Sequence, residues 1–190
     1  MVRSCAVVVL AAGALFAGCK DGGPAGPDAG CWPMEAATPG GEVELGTGIG
    51  GFEPLPASLR FIQGTQGGTF LVVNARIRGL APGNPNDFFD PGNPKTLFTA
   101  IEFDGTEIRP PCPGTLGYVP AGPDHFERAR AQYLEFLPYE VGSRAFNTNV
   151  RLVVEIIDAN GRYARDERVV FAEAPPSSIA DAGAEAAATD

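Results

Sequence analysis

The segment NVRLVVEIIDANGRYARDERVVFAE, residues 149–173, gives the clearest indication of how this chain folds. Apolar and polar side chains alternate in its first half, with Val150, Leu152, Val154 and Ile156 set against Arg151 and Glu155. A period of two is typical of a β-strand that has one buried and one solvated face. The pair Asn160-Gly161 then predicts a type I′ turn, because this pair tolerates positive φ at both central positions. The segment therefore predicts an antiparallel hairpin.

Seven segments of the chain share this alternation. They are residues 42–45, 58–63, 70–77, 96–104, 131–137, 150–157 and 167–173. Such strands, separated by turns rich in Gly, Pro and Asn and without interleaved helices, are typical of antiparallel sheets packed face to face. The predicted fold is all-β, a single antiparallel two-sheet sandwich of about seven strands over residues 42–172. For residues 125–133 a helix is an alternative, and a strand is favoured.

The alternation also predicts which side chains form the core. In residues 70–77 one face carries Leu71, Val73, Ala75 and Ile77. In residues 96–104 the pattern predicts that Leu97, Ile101 and Phe103 face the core, while Ala100, Glu102 and Asp104 face solvent.

The hairpin segment at 149–173 resembles the closing strands of immunoglobulin-like and fibronectin-type-III-like modules of bacterial surface proteins. The resemblance implies an immunoglobulin-like sandwich, and it says little about function because such sandwiches carry many unrelated roles. The turn Gln66-Gly67-Gly68 before a long strand resembles envelope lipoproteins of unassigned role.

The amino terminus has the parts of a secretory signal: Arg3, then an apolar run from Cys5 to Gly18. This run is shorter than the roughly 20 apolar residues that span a bilayer. Glycines and prolines follow it directly, which argues against a buried core helix.

Phe16-Ala17-Gly18-Cys19 resembles the lipobox of bacterial lipoproteins. The resemblance implies that residues 1–18 are a signal peptide and that Cys19 carries fatty acyl chains such as palmitate. Two or more chains would hold the protein stably on a membrane. Lys20 after the cysteine favours the outer membrane of the cell envelope.

Composition divides the remainder of the chain. Residues 19–41 are rich in Gly, Pro and Ala, which predicts a flexible tether. Residues 173–190 form an acidic, Ala-rich tail that is predicted to be disordered, because it offers little apolar surface to bury. The net charge is −9 and no Lys/Arg cluster occurs, so nucleic acid is not an expected partner.

The four cysteines fall into two groups. Cys5 leaves with the signal and Cys19 is assigned to the lipid, which leaves Cys31 and Cys112. Two thiols in an exported protein usually pair, so a Cys31–Cys112 disulfide is predicted, with free thiols as the alternative.

No motif predicts catalysis, a cofactor or a metal. The stretch 46–51 fits G-x-G-x-x-G, but Pro54 and Pro56 follow where a helix is required, which indicates a loop. His125 is the single histidine. A triad would need it beside Asp124 and either Ser58 or Ser143, and no G-x-S-x-G elbow supports one. Glu102, Glu135 and Glu155 sit at polar positions of strands and are predicted to be outward charges rather than a hydrolytic pair.

The most distinctive stretch is APGNPNDFFDPGNPKT, residues 81–96, in which Pro-Gly-Asn-Pro occurs twice. It is either a long loop with both phenylalanines folded onto the sandwich edge or a presented partner-binding loop. The binding residues of the second alternative are Asp87, Phe88, Phe89 and Asp90. A third hypothesis is a calcium-binding loop, in which the oxygen ligands would come from Asn84, Asn86, Asp87, Asp90 and Asn93.

These features predict a non-catalytic, lipid-anchored envelope protein. Its expected partners are the membrane, through the lipid, and an envelope protein or surface polysaccharide, or it has a structural role. A calcium-dependent adhesin or glycan-binding module is one alternative, and a secreted hydrolase is another.

Overall fold

The computed structural model describes residues 38–64, 68–108, 113–136 and 144–176. Several predictions fall outside these residues and stay predictions. They concern the signal peptide, lipidation of Cys19, the Cys31–Cys112 disulfide, and most of the tether and of the tail.

The described residues form an all-β fold, as predicted. Apart from helical backbone at Arg144 and Ala145, every regular element among them is a strand. In chain order the strands are β1 (Thr38–Pro39), β2 (Glu42–Thr47), β3 (Glu53–Pro54), β4 (Ser58–Arg60), β5 (Ile62–Gln63), β6 (Thr69–Arg78), β7 (Lys95–Ile101), β8 (Glu107–Ile108), β9 (Gly114–Thr115), β10 (Tyr118–Pro120), β11 (His125–Arg128), β12 (Gln132–Phe136), β13 (Thr148–Ile157) and β14 (Arg162–Glu173). Each of the seven predicted segments overlaps at least one strand, although residues 102–104 of the segment 96–104 lie beyond the end of β7. The predicted total was too low because most of the added strands are only two to four residues long.

The first sheet has the order β1-β14-β13-β7-β8, with β4 also on β14 and β9 also on β7. Its centre is the predicted hairpin, in which β13 and β14 pair antiparallel over ten residues. The prediction of a purely antiparallel sheet was wrong, because β1 and β4 pair parallel to β14. Segment 58–63 explains one of these pairings: it leaves β14 at Arg60, buries Phe61, and continues as β5 on the other sheet.

The second sheet has the order β10-β11-β6-β2-β3, with β12 and β5 also on β6. Strands β11 and β12 follow one edge of β6 in the same direction, from His125 opposite Arg78 to Gln132 opposite Val73. Residues 129–131 bulge out between them, since four residues, 128–131, lie opposite only two of β6, Asn74 and Ala75. The strand favoured for residues 125–133 is confirmed, and the helical alternative is wrong.

The core lies between the two sheets. The predicted inward faces of β6 and β13 are confirmed, with each of these side chains at 0% exposure. They are Leu71, Val73, Ala75 and Ile77 of β6, and Val150, Leu152, Val154 and Ile156 of β13.

The predicted phase of β7 was wrong. Residues opposite each other in a ladder share a face, and Val154 in the core lies opposite Phe98. Phe98 therefore points into the core, with 1% exposure, and Phe103 is 75% exposed. Leu97 on the outer face is also buried, so both faces of β7 are apolar and the pattern could not separate them.

The β13–β14 turn differs in type from the prediction. Gly161 has positive φ, at 73°, whereas Asn160 does not. The Asp158 carboxylate accepts the N–H groups of Asn160 and Arg162 at 2.9 Å and so shapes the turn. The result is a turn closed by a left-handed glycine rather than type I′.

Candidate functional site

The loop between β6 and β7, residues 81–94, leads from the second sheet to the first, and we call it the tip loop. Its first residues are fixed to both sheets. The N–H of Ala81 donates to Asp158 Oδ2 at 2.8 Å, and the carbonyl of Pro82 accepts the N–H of Tyr118 at 2.8 Å. The loop therefore starts from an anchored base.

Asn93 organises the interior of the tip loop. Its side chain is 5% exposed, and its Oδ1 accepts the N–H of Asn84 at 2.7 Å. Its Nδ2 donates to the carbonyls of Asp87 and Thr115, at 2.6 and 3.3 Å. One amide thus links both arms of the loop to β9.

Three of the other four Asx side chains, those of Asn84, Asp87 and Asp90, cap the loop's own backbone. Each of the three accepts an N–H two residues further along the chain, which is the geometry of an Asx turn. The N–H of Asn86 donates to Asn84 Oδ1 at 3.0 Å, that of Phe89 to Asp87 Oδ1 at 2.9 Å, and that of Gly92 to Asp90 Oδ1 at 2.7 Å. A calcium ion would have to share oxygens already in use. Within the described ranges no three His, Cys, Asp or Glu side chains come together as a metal site.

The two phenylalanines are presented at the end of the tip loop. Phe89 is 94% exposed and Phe88 is 48% exposed. The Arg130 guanidinium, from the bulge between β11 and β12, lies 5.4 Å from the centroid of the Phe88 ring. The alternative in which both rings fold onto the sandwich edge is therefore wrong for Phe89.

Close backbone approach holds the loop against β9 and β10. An added Cβ at Gly117 would lie 2.3 Å from the carbonyl carbon of Asn84. Only glycine leaves room for the loop at this distance. Gly114 likewise leaves space for the Arg128 side chain, whose Nη2 lies 2.9 Å from the position of an added Cβ.

Arg128 lies between the sheets beneath β9 and is 5% exposed. Its Nη1 donates to the Arg130 carbonyl at 3.3 Å and its Nη2 to Gln132 Oε1 at 3.5 Å, and it lies 5.4 Å from the Phe98 ring centroid. Its Nε has no acceptor among the described groups. Burial lowers the pKa of Arg128, and the nearby Tyr118 hydroxyl opposes that change. The alternating pattern of β11 gave no sign of a buried arginine, because arginine is normally read as a solvent-facing residue.

Of the hypothetical triad, His125 and Asp124 are in contact, whereas Ser58 lies on the other sheet. His125 Nδ1 lies 3.0 Å from Asp124 Oδ1 at the surface of the second sheet. Ser58 lies on β4 of the first sheet, and Ser143 lies outside the described residues. In the 46–51 stretch, residues 48–51 form the bend that was expected, whereas Gly46 and Thr47 belong to β2.

The three glutamates considered for hydrolysis lie in different surroundings. Glu155 accepts the Tyr163 hydroxyl at 2.7 Å, and Glu135 is exposed. Glu102 is 4% exposed, with neither carboxylate oxygen bonded, so the prediction that it faces solvent was wrong. It follows Ala100 in the inward phase of β7, which the sequence pattern had assigned to solvent. Burial first, and then the charge of Asp104, raise its pKa, while Arg144 lowers it.

Comparison with known proteins gives no relative. No family model, curated protein or solved structure matches this chain. In the ranges that the structure describes, none of the helical backbone is long and apolar enough to span a bilayer.

Proposed function

We propose that this protein is a lipid-anchored component of the bacterial cell envelope that binds another envelope protein through its tip loop. The anchor is Cys19, on the outer membrane, and the body is an immunoglobulin-like sandwich without catalytic function. The Phe16–Cys19 motif supports the anchor, and the two facing sheets with the β13–β14 hairpin support the body.

One observation carries the binding role: Phe89 is 94% exposed on a loop whose backbone is fixed by its own side chains. An exposed phenyl ring on a mobile loop would lose entropy on binding. A ring on an ordered loop avoids most of that cost, and buried aromatic anchors supply much of the affinity at protein interfaces.

Site-specific photocrosslinking in intact cells tests this role. A photoreactive residue replaces Phe89 in one strain and Phe103, which is 75% exposed, in a control strain. We expect one defined envelope protein, identified by mass spectrometry, to be crosslinked at position 89 and absent at position 103. Equal yields at both positions would contradict a tip-specific partner.

The anchor is tested separately with Cys19→Ser. The variant should remain in the soluble fraction when membranes are sedimented, because it has no thiol to acylate. Co-sedimentation equal to that of the wild type would refute the lipid anchor.

A calcium-dependent adhesin remains the second candidate, since five oxygen-bearing side chains share the tip loop. Millimolar calcium would then raise the melting temperature of the wild type, and Asp87→Ala with Asp90→Ala would abolish the rise. For the hydrolase alternative, the purified protein is assayed on a broad substrate panel. Turnover abolished by a single carboxylate or serine substitution would establish it.

A further inference from the structure

Most of the ten arginines in the described ranges pair with carboxylates. Seven arginines in the described ranges form ion pairs: Arg60, Arg76, Arg78, Arg151, Arg162, Arg165 and Arg168. Arg128, Arg130 and Arg144 form none with any carboxylate in those ranges, although the chain carries a net charge of −9. Of these three, Arg144 is close enough to Glu102 and Asp104 to lower the pKa of both. Glu127 lies beside Arg128 and Arg130 in sequence but points to the other face of the sheet, where it pairs with Arg76 at 2.7 Å.

Arg128 and Arg130 lie close to the exposed rings of the tip loop. Strand β9 lies between Arg128 and the tip loop. The Thr115 hydroxyl donates to the Phe88 carbonyl at 3.4 Å, and the adjacent Gly114 packs against the Arg128 guanidinium. Arg130 stands over Phe88 on the solvent side. Asp87 and Asp90, which flank the two phenylalanines in the tip loop, each accept a backbone N–H group within the loop.

The buried guanidinium strengthens the field at this surface. Charges act over longer distances inside a protein than in water, because the effective dielectric constant is lower. Arg128, 5% exposed and without a counter-ion among the described carboxylates, therefore places a second positive charge beneath β9.

We propose that the tip loop and the Arg128–Arg130 bulge form one site for an acidic segment of a partner protein. A large apolar side chain of that segment contacts Phe88 and Phe89, and an adjacent carboxylate pairs with Arg130. This inference rests on the proposed binding role of the tip loop and adds the chemistry of the partner.

The rings favour a peptide over a polysaccharide. Phenylalanine lacks the hydroxyl or indole N–H with which tyrosine and tryptophan hydrogen-bond a polar ligand. The rings therefore gain most from apolar groups that they remove from water, and amino-acid side chains supply such groups more readily than sugars.

Selection from a library of random peptides, displayed on phage, tests the inference with the full-length protein. We expect the selected peptides to carry aspartate or glutamate beside a large apolar residue. Arg130→Gln should weaken their binding about tenfold, as expected when a charged hydrogen bond is lost. Arg151→Gln is the matched control, an exposed arginine on β13 that should leave the affinity unchanged. Binding should also weaken with added salt.

The outcomes separate the two proposals. Peptides that need Phe89 but show no acidic preference and ignore Arg130→Gln would overturn the inference and leave the tip loop as a binding site. If none of the selected peptides needs Phe89 for binding, the proposed binding role of the tip loop is itself overturned. Arg130-dependent binding of polygalacturonate, without selection of acidic peptides, would assign the site to a polysaccharide and overturn the peptide proposal.

Discussion

Replacing Asp158 with alanine should unfold the protein at distinctly lower urea concentration. The carboxylate of Asp158 is 0% exposed and connects the base of the tip loop to the turn of the β13–β14 hairpin. Its Oδ2 accepts the N–H of Ala81 at 2.8 Å and pairs with the Arg162 guanidinium at 2.8 Å. Its Oδ1 accepts the N–H groups of Asn160 and Arg162, both at 2.9 Å.

The magnitude follows from these contacts. Alanine removes the acceptor of three backbone N–H groups, each worth about 1 kcal/mol net. The ion pair adds less than about 1 kcal/mol, because the Arg162 side chain is 41% exposed and water screens it. The expected loss in free energy of unfolding is therefore about 3–4 kcal/mol. Asp158→Asn keeps one acceptor oxygen for the turn and should lose about 2 kcal/mol.

Urea denaturation monitored by circular dichroism measures these losses. Asp104→Ala is the matched control, because that carboxylate also accepts a backbone N–H, from Thr106 at 2.9 Å, but in an exposed turn. We expect Asp104→Ala to shift the midpoint little. If Asp158→Ala shifts it no further than the control, the assigned role of Asp158 is refuted.

The pH dependence provides an independent check. Burial alone would raise the pKa of Asp158, but hydrogen bonds from Ala81 and Arg162 outweigh burial and lower it below 3.8. A carboxyl with a lowered folded-state pKa stabilises the protein fully above its unfolded pKa of about 3.9 and loses that contribution as pH falls through the folded value. The difference between wild type and Asp158→Asn should therefore be constant near neutral pH and shrink in acid. A difference that stays constant into acid would contradict ionised, hydrogen-bonded Asp158.

Three further substitutions have defined outcomes. Glu102→Gln should raise the free energy of unfolding by about 1 kcal/mol at neutral pH, since the buried carboxylate has a raised pKa and no hydrogen-bond partner among the described groups. This gain should vanish in acid, below the pKa of the unfolded state. Asn93→Ala should cost about 2–3 kcal/mol in urea denaturation, because three hydrogen bonds inside the tip loop are lost. Gly117→Ala should cost about 1–3 kcal/mol and increase proteolysis of the loop, because its Cβ would meet the Asn84 backbone, while Gly50→Ala, which meets nothing within 4 Å, should be tolerated.

The sequence predicted the strongest elements of the fold. Strands β6 and β13 have an apolar face that is buried and long, so the period of two identified both the strands and their inward residues. The hairpin was found for the same reason. Its turn type was missed because a nearby side chain, the Asp158 carboxylate, sets the local geometry and is not part of the Asn-Gly signal.

The residues that were missed depend on long-range pairing. The phase of β7 is fixed by the register with β13, and that register places Phe98 and Ala100 inward. Burial of Arg128 depends on Gly114, which is distant in sequence and leaves space for the guanidinium. The repeated Pro-Gly-Asn-Pro stretch did identify the tip loop, but only the structure separates Asn93, which is buried, from Phe89, which is exposed.

This separation divides the tip loop into a scaffold and a contact surface. Asn93 and the Asx turns hold the backbone, whereas Phe89 is 94% exposed and contributes very little buried area to the fold. Phe89→Ser should therefore abolish binding of the partner without a measurable change in unfolding free energy, because an exposed side chain adds little to stability. Asn93→Ala should weaken crosslinking only in proportion to the disorder that it introduces, and lower temperature should restore part of it. If Phe89→Ser destabilises the fold as much as Asn93→Ala does, the ring has a structural role and the binding site lies elsewhere.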